Sequence, residues 1–532
     1  MLQRFTKFWP WLAAAASGLL GVFCFPPFDQ SWLCWIALTP LIVAVWFSGE
    51  NARRRWLRNL LLGYVAGLIF FTFAFSWLGS LGYLYQSLFL HSLSFLLSIY
   101  LAMHFAFWAW FIGFLKPPTF TASWRNLLVA FVAACAWTTH EWVRGWLFSG
   151  FGWNGLGVAL HKQTPMIQIA EFTGVTGLSF AVAFANIIAV TTPIRLFVEA
   201  KTHRVRAHFD LTMTLVGIVG LLSFGLNRMT TPVSSTKPIR VAAVQGNVPQ
   251  LEKLDPQSAP QVFGKFRRLS EIAMRANPPP DLLVLPESSL PGDWMDKGLR
   301  QFVSQIVAGY QTDLLFGVDD VDQEHSYNAA VLVAASEGRT ELYHKIHLVP
   351  FGEYIPLRKS FPLFAAIAST WVPGDFARGT KHTVFNLTNP DVHVAPLICF
   401  EDTVGDLVRH FVSNGANLLV DITNDGWFLH SSASQQHLAN AKFRCVENRR
   451  PMVRAANTGV TCFVSQFGRI ADYLRDDIGE TFGEGMLTGE VAVPQDRQLT
   501  FYTRHGEWLA EISAAITVAA IVFFVLRRKV AR

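Results

Sequence analysis

Long, nearly uncharged apolar runs recur through this chain, and they constrain its fold more than any other feature. A run of ~20 apolar residues crosses the ~30 Å hydrocarbon core of a bilayer as a helix. Runs that read as such helices lie at 9–25, 30–48, 60–82, 88–115, 125–146, 166–194 and 209–227. An eighth, Trp508–Leu526, is followed by Arg527, Arg528, Lys529 and Arg532. Some exceed the minimum length, which predicts tilt or kinks. Composition agrees: 51% of the 532 residues are hydrophobic and 15% are charged, against about 25% charged in an ordinary soluble domain.

The placement of charge gives an orientation. Arg4 and Lys7 precede the first run, and Arg53, Arg54, Arg55 and Arg58 follow the second. Lys116 and Arg125 flank the loop after the fourth; Arg195, Lys201, Arg204 and Arg206 follow the sixth. The alternate loops Pro26–Gln30 and Gly79–Gln86 carry no Lys or Arg. All cationic loops share one side only if both termini are cytoplasmic. The net charge of +6 is then largely a topology signal, and nucleic acid is excluded as a partner. A cleaved signal peptide fits poorly, because the small residues Ala13–Ala16 lie inside the first run and further runs follow.

Three segments follow: a seven-helix bundle over 1–229, a polar domain over 230–505, and an anchor helix with a basic tail over 506–532. The polar domain then lies outside the cytoplasm, which in a two-membrane bacterium is the periplasm, with the bundle in the inner membrane. It begins after the linker Thr230–Lys237 and carries strand-like runs at Ile239–Val244, Leu282–Leu285, Leu314–Val318, Ala329–Val333, Val392–Ile398, Leu418–Ile422, Met452–Ala455 and Cys462–Val464. Helix-like stretches at Gln261–Arg275, Leu299–Ala308 and Gln435–Glu447 alternate with them, which predicts a layered α/β domain. Residues 360–372, SFPLFAAIASTWV, are apolar but too short to span; they read as a core helix or as a lid that dips into the membrane surface.

Three polar residues fall at or near strand ends, where a side chain meets a cleft rim: Glu287 in DLLVLPE, Lys345 in LYHKIHLVPFGEYIP and Cys399 in VHVAPLICFED. Each alone has an ordinary explanation: a turn carboxylate, a surface lysine, a buried thiol. Together they supply a base, a cation and a nucleophile. A thiol with a pKa near 8.5 is mostly protonated at neutral pH. A carboxylate beside it can take the proton, and Lys345 with a backbone N–H after the cysteine would stabilise the oxyanion formed by attack on an acyl carbonyl. Glu353 and Glu401 flank the same motifs and would orient the lysine, shuttle a proton or hold the loops. Of the six cysteines, Cys399, Cys445 and Cys462 lie in the polar half; three thiols cannot all pair with one another, so at least one is free.

These motifs resemble the Glu-Lys-Cys triad of the nitrilase, or carbon–nitrogen hydrolase, superfamily, whose fold is an αββα sandwich. The fuller resemblance is to its membrane-embedded branch, the apolipoprotein N-acyltransferase family, and it covers nearly the whole chain. AVQGNVPQ at 243–250, EWVRGWLFSGFGW at 141–153, NDGWF at 424–428 and ANTGVT at 456–461 also carry it. The resemblance implies a polytopic membrane bundle of eight helices with a periplasmic nitrilase-like domain. It further implies that Cys399 takes an acyl chain from a phospholipid, typically phosphatidylethanolamine, as a thioester, and passes it to the α-amino group of a diacylglyceryl-cysteine on a lipoprotein. Glu287 would act as base and then acid, Lys345 would stabilise the oxyanion and Glu353 would support the site. Two positions depart from the family: Phe400 stands where Tyr is frequent, and Leu254 where Trp occurs.

Both substrates carry acyl chains, each worth ~0.8 kcal/mol per buried CH₂ in the membrane, so a site at the bilayer surface lets them arrive laterally. Trp142, Trp146, Phe151 and Trp153 fit such an entrance or an interfacial aromatic belt. Glu141 and Arg144 are expected to pair. DITNDGW at 421–427 resembles part of a calcium loop, but its twelfth position is Ser432 where Glu is needed. His344, His347 and His437 lack metal-ligand spacing. No metal or cofactor is expected. Two other readings remain: a membrane-tethered amidase that passes the thioester to water, and a transporter with an outer binding domain, which predicts more intramembrane polar residues than His104, His91, Thr72 and Ser92.

Overall fold

The computed structural model describes residues 2–50, 52–203, 206–231, 235–336, 338–356, 358 and 374–530. The expected lid segment, 360–372, lies outside the described residues. The chain divides into two compact units, Met1–Thr231 with Glu507–Arg532, and Pro232–Gly506.

The first unit is all helical. Among its described residues, five helices are long and apolar enough to cross a membrane: Arg55–Ala74, Leu93–Leu115, Ala170–Thr202, Phe209–Thr230 and the last, Trp508–Arg527. Two others, Leu2–Phe23 and Ser123–Arg144, each run for 22 residues. The run at 30–48, expected as one helix, is broken into a 3₁₀ turn at Ser31–Trp35 and a helix at Thr39–Phe47. Pro40 explains the break: its ring clashes with the carbonyl four residues back, so a helix starts there and cannot pass through from Ile36. The expected kink falls at Gly174 (φ 65°) within Ala170–Thr202.

Small residues bring the helices together. A Cβ on Gly63 would sit 2.4 Å from the Phe105 carbonyl, and one on Gly67 would sit 2.9 Å from the Ala102 Cα. This G-x-x-x-G face lets Arg55–Ala74 meet Leu93–Leu115 at backbone distance. Buried polar side chains add directional ties. Arg195 pairs with Glu199 at 2.9 Å and Asp210 at 3.0 Å, and Asn126 donates to Asp210 at 2.6 Å. Glu141 and Arg144 take separate partners. Glu141 accepts from Trp137 Nε1 and Leu156 N, both at 2.7 Å, while Arg144 donates to the Trp153 carbonyl at 2.8 Å.

The second unit has two six-stranded sheets. One runs in the order β12 (Gly485–Pro494), β1 (Thr236–Gln245), β2 (Leu282–Val284), β3 (Asp313–Val321), β4 (Ser326–Val333), β5 (Thr340–His344). The other runs β11 (Ile470–Tyr473), β10 (Cys462–Val464), β9 (Met452–Ala456), β8 (Leu418–Thr423), β7 (Asp391–Ile398), β6 (Phe385–Thr388). Each sheet has three parallel central strands, β1–β2–β3 and β7–β8–β9, with antiparallel flanks.

The layering follows from the two-residue period of a strand. Ile239, Val241, Ala243, Leu282, Val284, Leu315, Ala330 and Leu332 enter the core shared by both sheets. The alternate residues Ala242, Val244, Leu283, Leu314, Phe316 and Val331 pack against Phe266, Leu269, Phe302 and Ile306, which belong to helices Ala259–Ala273 and Lys297–Tyr310. Helices Gly405–Ser413 and Ala433–Asn448 supply Val408, Phe411, Leu438 and Ala441 on the other side. The result is a helix–sheet–sheet–helix sandwich: the strand–helix alternation predicts a layered α/β domain, and the family resemblance implies this four-layer order.

Candidate active site

Three strand ends deliver the candidate residues. Glu287 follows β2, Lys345 is the first residue after β5, and Cys399 is the first after β7. The backbone at Cys399 turns into the left-handed region (φ 55°) and starts a 3₁₀ turn, Cys399–Thr403. A residue in that region between a strand and a helical turn stands out from the backbone, as a nucleophile elbow does, and such strain concentrates at functional sites. All six cysteines are free; five are buried, and Cys399 alone is partly exposed.

The Glu287 loop lies directly on β3. A Cβ at Gly317 would come within 2.6 Å of the Glu287 Cα, so only glycine permits this approach. Gly317 N donates to Pro286 O and Ser289 N to Gly317 O, fixing the loop from both sides. Lys345 is 1% exposed. Its Nζ lies 2.9 Å from Glu353 Oε1 and 3.6 Å from Glu287 Oε1. Asn328 Nδ2 donates to both Glu287 and Glu353 at 2.8 Å, and Val349 N donates to the other Glu353 oxygen at 2.8 Å. One ammonium and one amide thus hold two carboxylates side by side.

Electrostatics define the resting state. Burial pulls the Lys345 ammonium toward neutrality, but Glu353 and then Glu287 outweigh it and raise its pKa, so it stays charged. Burial, and after it the Glu287 carboxylate, push the Cys399 thiol well above its ordinary value, against the pull of Lys345. The sulfur therefore rests protonated, and attack requires proton removal at the moment of bond formation rather than a preformed thiolate.

Glu401 and Phe400 hold the elbow. Glu401 is fully buried. Its Oε1 accepts from Tyr343 Oη at 2.8 Å, Ile346 N at 2.7 Å and His347 N at 2.9 Å, and its Oε2 accepts from Ile398 N at 3.0 Å. One carboxylate therefore ties the lysine loop to the end of the cysteine strand. Burial raises its pKa to about 7, with Lys345 and these donors opposing. Phe400 stacks on His347 with ring centroids 5.6 Å apart.

Behind the elbow lies a sealed ionic cluster that the sequence did not reveal as a unit. His437 lies between Asp402 and Asp425, 2.9 Å from each. Arg454 meets Asp402, Asp421 at 2.7 Å and Asp425 at 3.3 Å. Burial disfavours the charged His437, but Asp402 and the other carboxylate outweigh it, and its pKa rises to about 9. Burial and the Asp402 charge hold Asp421 well above the carboxylate range. The raised Asp421 pKa brings the negative charge of this cluster closer to balance with the positive charge of His437 and Arg454. The aspartates of DITNDGW thus serve ion pairs. Among the described residues, no group of three His, Cys, Asp or Glu is arranged to hold a metal ion.

Three of the other quoted motifs, those of the second unit, converge at the same strand ends. Asn247 N donates to Asn457 O at 2.6 Å, and Asn457 Nδ2 donates to Val248 O and to Asn424 Oδ1. Asn424 Nδ2 donates to Gln250 Oε1 at 2.7 Å. AVQGNVPQ, NDGWF and ANTGVT therefore form one clasp across the two sheets. Beside it, Lys253 Nζ donates to the Glu287 backbone carbonyl at 3.0 Å. Burial lowers its pKa to about 8, while Glu287, Asp319 and Cys399 hold it up.

The structure thus brings Glu287, Lys345, Glu353 and Cys399 into one electrostatic unit, with Glu401 and Phe400 beneath and beside it. Sequence reasoning missed Asn328, Lys253, Asp319 and the cluster around His437. Only AVQGNVPQ offered a signal, since Lys253 lies three residues beyond it. A base, a fixed cation and a partly exposed cysteine together suit acyl transfer through sulfur.

Residues 17–188 match the family model for the apolipoprotein N-acyltransferase N-terminal domain, and residues 240–494 match that for carbon–nitrogen hydrolase. A relative from Geobacter metallireducens, named apolipoprotein N-acyltransferase, is 34% identical over 98% of this chain and 96% of its own. One of the same name from Chlorobaculum tepidum is 29% identical over 98% and 97%. A third, from Methylococcus capsulatus, is 31% identical over 97% and 96%.

Proposed function

The chain belongs to the apolipoprotein N-acyltransferase family, and from that premise we propose that Cys399, Glu287 and Lys345 carry the family's reaction. It is an integral membrane acyltransferase that N-acylates lipoproteins. The observation that carries the site is the single partly exposed cysteine, on a left-handed elbow, beside an ammonium 3.6 Å from a carboxylate.

The donor is a phospholipid, phosphatidylethanolamine by preference. Glu287 takes the thiol proton as sulfur attacks the ester carbonyl. Lys345 faces the oxyanion; removing one such donor typically costs roughly 10²–10³ in rate. Collapse expels the lysophospholipid oxygen, which takes the proton from Glu287 and leaves acyl-Cys399. The α-amine of the diacylglyceryl-cysteine then attacks the thioester, Glu287 takes a proton from the adduct, and the departing sulfur recovers it. Glu353 and Asn328 keep Lys345 and Glu287 in register.

Eight crossings are inferred, with the broken segment Ser31–Phe47 as the second. Both termini lie in the cytoplasm and the Pro232–Gly506 unit in the periplasm, at the inner membrane. The cationic loops support this orientation.

The protein in detergent or vesicles is incubated with phosphatidylethanolamine and a diacylated lipopeptide. N-acyl peptide and lysophospholipid are expected, with an acyl adduct on Cys399 in the absence of acceptor. Free fatty acid in place of N-acyl peptide would overturn the transfer, and an adduct on Cys445 or Cys462 would overturn the site.

A further inference from the structure

A buried hydroxyl beside the nucleophile has no hydrogen-bond partner among the described residues. It belongs to Thr423, the last residue of β8, which is 0% exposed. The backbone of Thr423 is tied on one side to β9: its carbonyl accepts from Asn457 N at 2.9 Å, and its register partner is Ala456. The side chain makes no such tie. A hydroxyl buried without a hydrogen bond costs stability, so folding alone gives no reason for threonine here.

The strand register sets what the hydroxyl faces. β7 and β8 run parallel, and the last pair of their ladder is Ile398 with Ile422. Both isoleucines enter the core shared by the sheets. One residue on, Cys399 and Thr423 stand side by side at the two strand ends. The two-residue period of a strand turns Thr423 away from that core, to the face of Asp421. Burial, then Glu287 after β2 and Asp425 just past β8, oppose charge on the Cys399 sulfur; Lys345 after β5 and the Thr423 hydroxyl favour it.

We propose that Thr423 is a further catalytic residue of this site, its hydroxyl donating a hydrogen bond to the Cys399 sulfur as that sulfur gains charge. A neutral thiol is a weak acceptor and a hydroxyl rotates to suit its partner, so the bond is loose at rest. It tightens as the sulfur becomes anionic, because a charge-assisted bond is roughly twice as strong as a neutral one. A contact that strengthens in this way lowers the barrier rather than only the ground state. In loading, Glu287 takes the thiol proton as the S–C bond forms, and Thr423 keeps its own. In aminolysis the C–S bond breaks, the electron pair stays on sulfur, and Thr423 holds that charge until the proton on Glu287 returns. The inference rests on the thioester reading above.

The test compares the full-length enzyme with its Thr423→Val and Thr423→Ser variants. Alkylation of Cys399 by iodoacetamide is followed by mass spectrometry between pH 6 and 10. Loading from phosphatidylethanolamine and aminolysis by a diacylated lipopeptide are then timed separately. Thr423→Val is expected to slow both half-reactions by about ten- to a hundredfold, the worth of a hydrogen bond to a charged group. Its alkylation profile moves to higher pH, and it melts no lower than the parent, since valine removes an orphan hydroxyl without changing the shape. Thr423→Ser recovers most of the loss. An unmoved alkylation profile, a loss in Thr423→Ser equal to that in Thr423→Val, or a melting temperature that falls with activity overturns the proposal. Failure of the unaltered enzyme to form acyl-Cys399 overturns the thioester reading instead, and the alkylation profile still tests Thr423.

Discussion

The Glu287–Lys345–Glu353 cluster and the Asp402–Asp421–Asp425–His437–Arg454 cluster use the same materials, carboxylates and cations within hydrogen-bond reach. They differ in access and in balance. The first opens toward a partly exposed thiol and has two carboxylates for one fixed ammonium. Burial, with this excess negative charge behind it, keeps the sulfur protonated. The second is sealed and more evenly balanced, with Asp402 only three residues past the nucleophile. Charge balance and solvent access, rather than residue type, separate a cluster that moves protons from one that holds a turn in place.

The strongest way to break this contrast is to remove the nucleophile and base while leaving the sealed cluster intact. Cys399→Ala should abolish acyl-enzyme and lower N-acylation by roughly 10⁴-fold or more, with thermal stability kept. Glu287→Gln should lose 10²–10⁴-fold, the usual worth of a positioned base. Activity of Cys399→Ala within tenfold of the unaltered enzyme would end the assignment.

The sealed cluster should respond in the opposite sense, through stability. Arg454→Met leaves Asp402 and Asp425 buried beside one cation, and breaking a buried ionic network costs about 3–5 kcal/mol. Thermal or denaturant unfolding in detergent should show that loss. A variant as stable as the parent but inactive would mean that the cluster acts in the chemistry itself.

His437 sharpens the same point through pH. Its folded pKa is raised from an ordinary 6.5 to about 9. The stabilisation is therefore fully present below pH 6.5 and is lost as pH rises through 9. A shift of that size corresponds to roughly 3 kcal/mol as an upper bound. Unfolding measured between pH 6 and 10 should show stability falling across that window, and His437→Gln should flatten the slope. An unchanged slope would place the titration elsewhere.

What the sequence revealed divides along similar lines. Apolar runs and period-two strands are local, so β10 at Cys462–Val464 and the core alternation of β1 to β4 were legible. The edge strands β5, β6, β11 and β12 were not: β11 exposes most of its residues and lacks an apolar face to read. Glu287 and Cys399 were found because each follows an apolar run, and Lys345 joined them because the three motifs together resemble a family. Asn328 and Lys253 escaped because their role depends on strand pairing: Lys345 N bonds to Asn328 O only once β4 and β5 are adjacent. The His437 cluster joins residues up to 52 positions apart, Asp402 to Arg454, and no spacing rule connects them.

The smallest expected effect concerns the boundary between the two clusters. Phe400 stands between the nucleophile and Glu401, and its ring lies on His347 at 5.6 Å and 25°. Burial, then the nearby cations Lys345 and Arg378, lower the His347 pKa to about 4, so at neutral pH the contact is between two neutral rings. Such stacking depends on the aromatic face and is worth about 0.5–1.5 kcal/mol beyond area burial. Phe400→Tyr keeps the face and should change kcat/KM by less than about threefold, since 0.6 kcal/mol is roughly that factor. Phe400→Leu removes the face and should lose roughly tenfold, chiefly in acyl-enzyme formation, with the melting temperature nearly unchanged. If Phe400→Tyr instead raised loading well beyond threefold, a hydroxyl there would belong to the proton-moving cluster, and the boundary would shift one residue toward Glu401.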